Sequence, residues 1–186
     1  MTNQVAQRES DLSFKIATET HEFEQIHRLQ YATFVEEIPQ HPPNERHVHV
    51  DKFHDENTYI ICHRDSELLG TVALRDRRPF ALERRLENLD SYLPKHTKPI
   101  EMRLLAAREG FRQGKVFPGL AKAMGEYCME RGFDLAIISA TTRQPRLYRH
   151  LGFVPFGPLV GTPGAMFQPM YLTLDTFRKI TEPLIR

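Results

Sequence analysis

Apolar residues recur along this chain with two different periods, and the changes between them mark out its elements. Ser13 to Ala17 alternates polar and apolar positions and predicts an opening strand. From Thr20, a candidate cap, the positions Phe23, Ile26, Leu29, Ala32–Thr33 and Ile38 follow helical spacing. Pro39, Pro42 and Pro43 stop that helix, because proline lacks the N–H a helix needs. The polar stretch from His41 to Asn57 predicts a loop. Thr58 to His63 and Leu68 to Arg75 predict two strands around the turn Arg64–Glu67.

Phe80 to Leu89 predicts a short helix carrying Arg84–Arg85, and Pro94 and Pro99 bracket a loop. Ile100 to Ala107 predicts a strand. A helix starting at Lys115 or Phe117 runs to Arg131 and ends at Gly132. Asp134 to Ala140 has the Leu and Ile content of a buried strand. Arg146 to Leu151 predicts a short helix stopped by Gly152. Phe153 to Phe156 and Met170 to Leu174 predict the last strands, separated by a long Gly/Pro loop. Three strands in succession, followed by strand–helix–strand, predict an α/β fold with a central mixed sheet and helices on both faces.

At 186 residues the chain suits one domain, 13–186, behind a flexible N-terminal tail, 1–12. A formal net charge of +1 supplies no global field for nucleic acid. No apolar run approaches the ~20 residues of a membrane span, and the polar start does not read as a signal peptide. The expected compartment is the cytoplasm. Cys62 and Cys128 lie in apolar segments and predict reduced core thiols. The histidines near His47, His49 and His54, with Asp55, lack a metal-ligand spacing. They predict exposed loop residues, and no metal is expected.

The stretch from Glu101 to Phe117 carries the chemistry. A strand runs into a turn containing Arg112 and Gly114, and a helix follows. Backbone N–H groups of such a turn, with a helix N-terminus behind them, suit a pyrophosphate; a plain strand–loop–helix crossover is the alternative. The segment resembles the GNAT superfamily of N-acyltransferases, whose pattern is matched in spacing by Leu105, Ala106, Ala107, Phe111 and Arg112. A second anchor, Tyr148-Arg-His-Leu-Gly152-Phe153, is similar to that superfamily's Tyr-x-x-x-Gly-Phe signature. Lys115 and Phe117 stand where the superfamily's phosphate loop has glycines. Phe34-Val-Glu-Glu, Asp51 to Asp55, Arg75 and the Glu101/Arg103 pair resemble the branch of N-acyl amino acid synthases and autoinducer synthases. That branch separates its Glu and Arg by three positions, against two here.

The resemblance implies roles. Glu101 would take the amine's proton, for which a carboxylate of raised pKa is wanted; an ion pair with Arg103 or Arg75 is the alternative. Tyr148 would return a proton to the leaving thiolate, or would only pack beneath the phosphate loop. The Leu105 N–H would serve the oxyanion, and Ala107 would bond the pantetheine arm. Arg112, Gln113, Gly114, Lys115, Val116 and Phe117 would surround the phosphates. Glu37, Asp51, Arg75 and Arg103 are the candidate acceptor residues; separately, the length of the loop Gly157 to Met170 suits a lid or binding loop, with an edge-protecting loop as the alternative.

The implied activity is transfer of an acetyl or longer acyl group from acyl-CoA to an amino group of a small molecule or amino acid, without metal. One alternative takes the acyl group from acyl carrier protein, an acidic partner for Arg75, Arg77, Arg78, Arg84 and Arg85. Another is a non-catalytic domain of this fold that binds a thioester or a partner enzyme. A homodimer stays open; nucleic acid and membrane are not expected partners.

Overall fold

The computed structural model describes residues 12–142 and 145–181. The expected tail, apart from Leu12, lies outside the described residues. The described residues fall into two compact units, one of those up to Leu74 with Leu104–Glu126, the other of Arg75–Arg103 with those from Tyr127 onward. Its strands make an eight-stranded mixed sheet.

In the first unit, β1 (Ser13–Ile16) pairs antiparallel with β2 (Thr58–Arg64), from Ser13↔His63 to Ile16↔Ile60. β2 pairs in turn with β3 (Glu67–Arg75), with an irregularity between Cys62 and His63. Helix α1 spans Thr20–Tyr31. Its cap is Glu19 rather than Thr20, because the carboxylate of Glu22 accepts the N–H groups of Thr18 at 2.9 Å and Glu19 at 3.1 Å. The expected continuation to Ile38 is a π-helical turn, Ala32–Glu37, closed by the Ile38 N–H on the Thr33 carbonyl at 2.9 Å. The apolar stripe of α1 buries Ile26 and Leu29, with Phe34 beyond it, against Tyr59, Ile61, Leu68, Ala73 and Ala106.

Helix α2 (Val116–Glu130) begins in this unit. Gly70 of β3 admits it: a Cβ there would lie 2.6 Å from the Val116 side chain. Gly119 of α2 receives the Phe14 ring in the same way: a Cβ there would lie 2.0 Å from a ring atom.

In the second unit, the first residues of β4 (Pro99–Ala107) run parallel to β5 (Leu135–Thr141), from Pro99↔Leu135 to Met102↔Ile138. The two strands are neighbours. β5 pairs antiparallel with β8 (Ala165–Thr173), which also carries β6 (Val154–Pro155) and β7 (Val160–Thr162). Helix α3 spans Pro145–His150.

Two expected elements differ in the structure, and one further helix follows the last strand. Phe80 to Leu89 is not one helix but two 3-10 turns, Leu82–Arg84 and Leu89–Tyr92, because Asn88 takes a left-handed φ of 54° between them. Phe80, Leu82, Leu86 and Leu89 still bury together with Ile137, Phe156 and Phe167. The expected long loop is largely a hairpin: Thr162 pairs with Ala165 around Pro163–Gly164, and Gly164 supplies the φ of 87° that the turn demands. The chain also continues past β8 into α4 (Leu174–Thr181), where the Thr173 hydroxyl caps the Thr176 N–H at 3.2 Å.

Candidate active site

Glu101 stands on β4 in the second unit with only 2% of its surface exposed. Its Oε1 accepts the Leu82 N–H at 2.9 Å, and its Oε2 the Ala81 N–H at 2.8 Å. Arg103 Nε lies 3.7 Å from the same Oε2. Burial pushes the carboxyl above its ordinary range, against the pull of Arg103, the two backbone donors and Arg75. Arg75 is 1% exposed and donates from Nε to the Pro79 carbonyl at 3.0 Å. Glu101, Arg103 and Arg75 therefore form one electrostatic group, anchored to the 79–82 segment. Arg75 belongs to the interior, which removes it from the expected basic surface; Arg77, Arg84 and Arg85 are exposed.

Leu104, three residues after Glu101, has a φ of 52° within β4. A leucine in the left-handed region inside a strand is strained and interrupts the regular pleat. Nothing in the run Arg103-Leu-Leu-Ala announces it.

Tyr148 lies on α3 in the same unit as Glu101. Its ring meets Phe153 edge-on at 6.3 Å, and its carbonyl accepts the Phe153 N–H at 3.0 Å. Burial raises the phenol above its usual value, so it holds its proton throughout the neutral range.

In the first unit, β4 ends at Ala107 and α2 starts at Val116. The turn between them contains Arg112, Gln113, Gly114 and Lys115. Arg112 grips Glu37 with both terminal nitrogens, Nη1 to Oε1 at 2.8 Å and Nη2 to Oε2 at 2.5 Å. Its Nε donates to the Ala107 carbonyl at 3.0 Å. Two residues assigned to different substrates thus hold each other. Glycines are not needed to open the helix N-terminus: the first amides of a 15-residue helix lack helical acceptors and suit anionic oxygens. Lys115 beside them is exposed.

Asp51 is buried and accepts a hydrogen bond from Asn57 Nδ2 at 2.7 Å. The same Nδ2 reaches the Tyr59 hydroxyl at 3.3 Å, and that oxygen lies 3.2 Å from His54 Nδ1. His54 Nδ1 is also 3.4 Å from His27 Nε2. His54 thus turns inward among Phe23, His27 and Tyr59, against the expectation of an exposed loop histidine, because its ring completes an aromatic cluster. His49 is half-buried too, stacked on His41 at 4.2 Å. Burial lowers the pKa of His27, and its neighbour His54 adds to this. Among the described residues no group of three or more His, Cys, Asp or Glu is disposed to hold a metal ion. Cys62 and Cys128 are buried free thiols, pushed up by burial to about 11 and about 12. No described helix is long and apolar enough to cross a membrane.

A mixed sheet with a parallel β4–β5 pair, and a helix opening behind β4, is the fold of GNAT-like acyltransferases. Residues 25–175 match the family model of the N-acyl amino acid synthase FeeM, and the chain belongs to that family. It is an N-acyltransferase that uses an acyl donor. The solved structure of FeeM, from uncultured soil microbes, is similar with a TM-score of 0.70 at 14% identity, over 93% of this chain and 96% of that one. The CoA-dependent acyl-homoserine lactone synthase BjaI, with SAM and isopentyl-CoA, gives a TM-score of 0.72 at 19% identity, over 93% and 88%. The AHL synthase LasI gives a TM-score of 0.71 at 12% identity, over 88% and 90%. Among curated protein sequences none matches this chain.

Proposed function

We propose that this N-acyltransferase transfers an acyl group from acyl-CoA to the amino group of a small amino acid-like acceptor. The amine nitrogen attacks the thioester carbonyl, the C–S bond breaks, and an amide and a free thiol result. Glu101 accepts the amine proton, Tyr148 donates one to the departing sulfur, and the N–H of Leu105 faces the developing oxyanion. Ala107 and the amides of Gln113 to Phe117 bind the pantetheine arm and phosphates, with Lys115 beside them. Arg75, Arg103 and Asp51 serve the acceptor. The observation that carries this reading is the left-handed residue Leu104, between the buried acid Glu101 and the proposed oxyanion donor Leu105. Strained backbone of this kind is held by the structure around it and clusters at active sites.

A second reading, with acyl carrier protein as donor, draws on the exposed Arg77, Arg84 and Arg85, which suit an acidic carrier. In both readings the protein acts in the cytoplasm, where acyl-CoA and acyl carrier protein are made.

Mass spectrometry of reactions containing acetyl-CoA, long-chain acyl-CoA or acyl carrier protein, each with a panel of amino acids, tests the proposal. An N-acyl product from a CoA thioester supports it. Product from the carrier protein alone replaces the donor, and thioester binding with no product from any donor leaves a binding domain.

A further inference from the structure

We propose that Glu37 is a positioning residue for the acyl donor, which holds the β4–α2 turn in shape through Arg112, so that Arg112 is a strut and not a phosphate ligand. This role rests on the donor reading proposed for the turn.

Arg112 spends three N–H groups inside the protein, two on the Glu37 carboxylate and one on the Ala107 carbonyl. The fork-to-fork pairing is directional as well as attractive, and a carboxylate already occupies the face that would receive a phosphate. The Ala107 bond closes the turn upon the end of its own strand. Glu37 ties that closed turn to the end of the π-helical segment Ala32–Glu37.

That segment decides where Glu37 points. Its extra residue per turn rotates the downstream residues by about 100° relative to a continued α-helix. The Gln40 N–H on the Phe34 carbonyl at 3.1 Å fixes the exit of the chain.

The rest of the turn is fastened in the same manner. The Arg108 N–H bonds the Leu69 carbonyl at 2.9 Å, and the Arg108 guanidinium bonds Glu67. Arg64 lies over the Phe111 ring at 5.3 Å. A turn with Lys115 and Phe117 at the resembling family's glycine positions takes its shape from these external ties.

The test compares the full-length protein with Glu37→Gln, Glu37→Asp, Arg112→Lys and the Glu37→Gln/Arg112→Lys pair. Hydrogen exchange on the free protein should speed up at residues 108–116 by roughly tenfold in Glu37→Gln and Arg112→Lys, with little change in global melting temperature. The donor KM for acyl-CoA should rise roughly five- to tenfold, with a smaller effect on kcat. Glu37→Asp should fall between Gln and wild type. The double variant should be no worse than either single one, since both break one contact. Unchanged exchange at 108–116 overturns the strut. Tighter acyl-CoA binding by Glu37→Gln also overturns it, for that result makes Arg112 a phosphate ligand that Glu37 holds back. Wild-type protein that binds no acyl-CoA in calorimetry overturns the donor reading and the positioning role with it. Thioester binding indifferent to Glu37 overturns the positioning role alone.

Discussion

Glu101 accepts the backbone N–H of Leu82 at 2.9 Å from a position where almost none of its surface is exposed. Its other oxygen takes the N–H of Ala81, so both oxygens act as acceptors toward the peptide chain. Glu101→Gln should therefore do more than remove a base. The new NH2 group faces an N–H donor, and Arg103 and Arg75 lose their carboxylate. A loss of about 2–4 kcal/mol in urea unfolding is expected. Unaltered stability would contradict the buried geometry.

The same residue has a kinetic signature. With its carboxyl held above the ordinary range, chiefly by burial, Glu101 becomes a base only as pH rises through that elevated pKa. In wild type, kcat/KM should climb with pH through that point. In Glu101→Gln the climb should disappear, and the deficit should be least at high pH, where the amine sheds its own proton. Parallel pH profiles for the two proteins would move the base elsewhere, with Asp51 next.

Tyr148→Phe should lower kcat by roughly 10²–10⁴ and leave acyl-CoA binding nearly intact, the usual span for a lost general acid. The Phe153 contact needs only the ring, so melting temperature should hardly move. Steady-state kinetics beside calorimetric binding decide the point, and full kcat in the variant rejects the role.

Glu22 makes acid stability testable. Burial works to raise its carboxyl, but the bond from Lys15 and the N–H groups of Thr18 and Glu19 outweigh it and hold the pKa at about 2, from an ordinary 4.5. A depressed carboxyl stabilises the fold above the unfolded value, and that contribution drains away as pH falls toward the folded one. Wild type should exceed Glu22→Gln by about 1–2 kcal/mol at pH 7. Denaturant melts repeated at lower pH should show the gap closing between about pH 5 and pH 2. A gap independent of pH would mean that the cap acts by shape alone.

Gly119→Ala should cost about 1–3 kcal/mol, because its methyl group would enter the Phe14 ring. Adding Phe14→Leu should recover part of the loss. Thermal melts of the single and double variants measure both effects, and additive losses would show that the two residues do not meet.

Much of the architecture was legible in the chain alone. Hydrophobic periods located the strands from Ser13 to Ala107, and Asp134 to Ala140 read as buried from composition alone. The Tyr148 to Phe153 motif placed a helix before a strand. Where the pattern misled, a backbone detail had intervened. The left-handed Asn88 broke an otherwise helical run, and Pro163–Gly164 folded an expected long loop into a hairpin. The run Thr173-Leu-Asp-Thr176 carries the Thr173 cap in its sequence.

The candidate residues divide along the same line. By itself the sequence determined most of the order of elements and the mixed character of the sheet, because each depends on spacing within a few turns of chain and on the order in which strands and helices follow one another. Tertiary structure alone decided that Arg112 meets Glu37, 75 positions away, and that Glu101 meets the amides of the 79–82 segment. It also decided that Leu104 is strained and that His54 is drawn inward against His27. Those meetings depend on sheet register, on the extra residue of a π-helical turn and on which face a core leaves open, and none of these leaves a periodic trace in the chain.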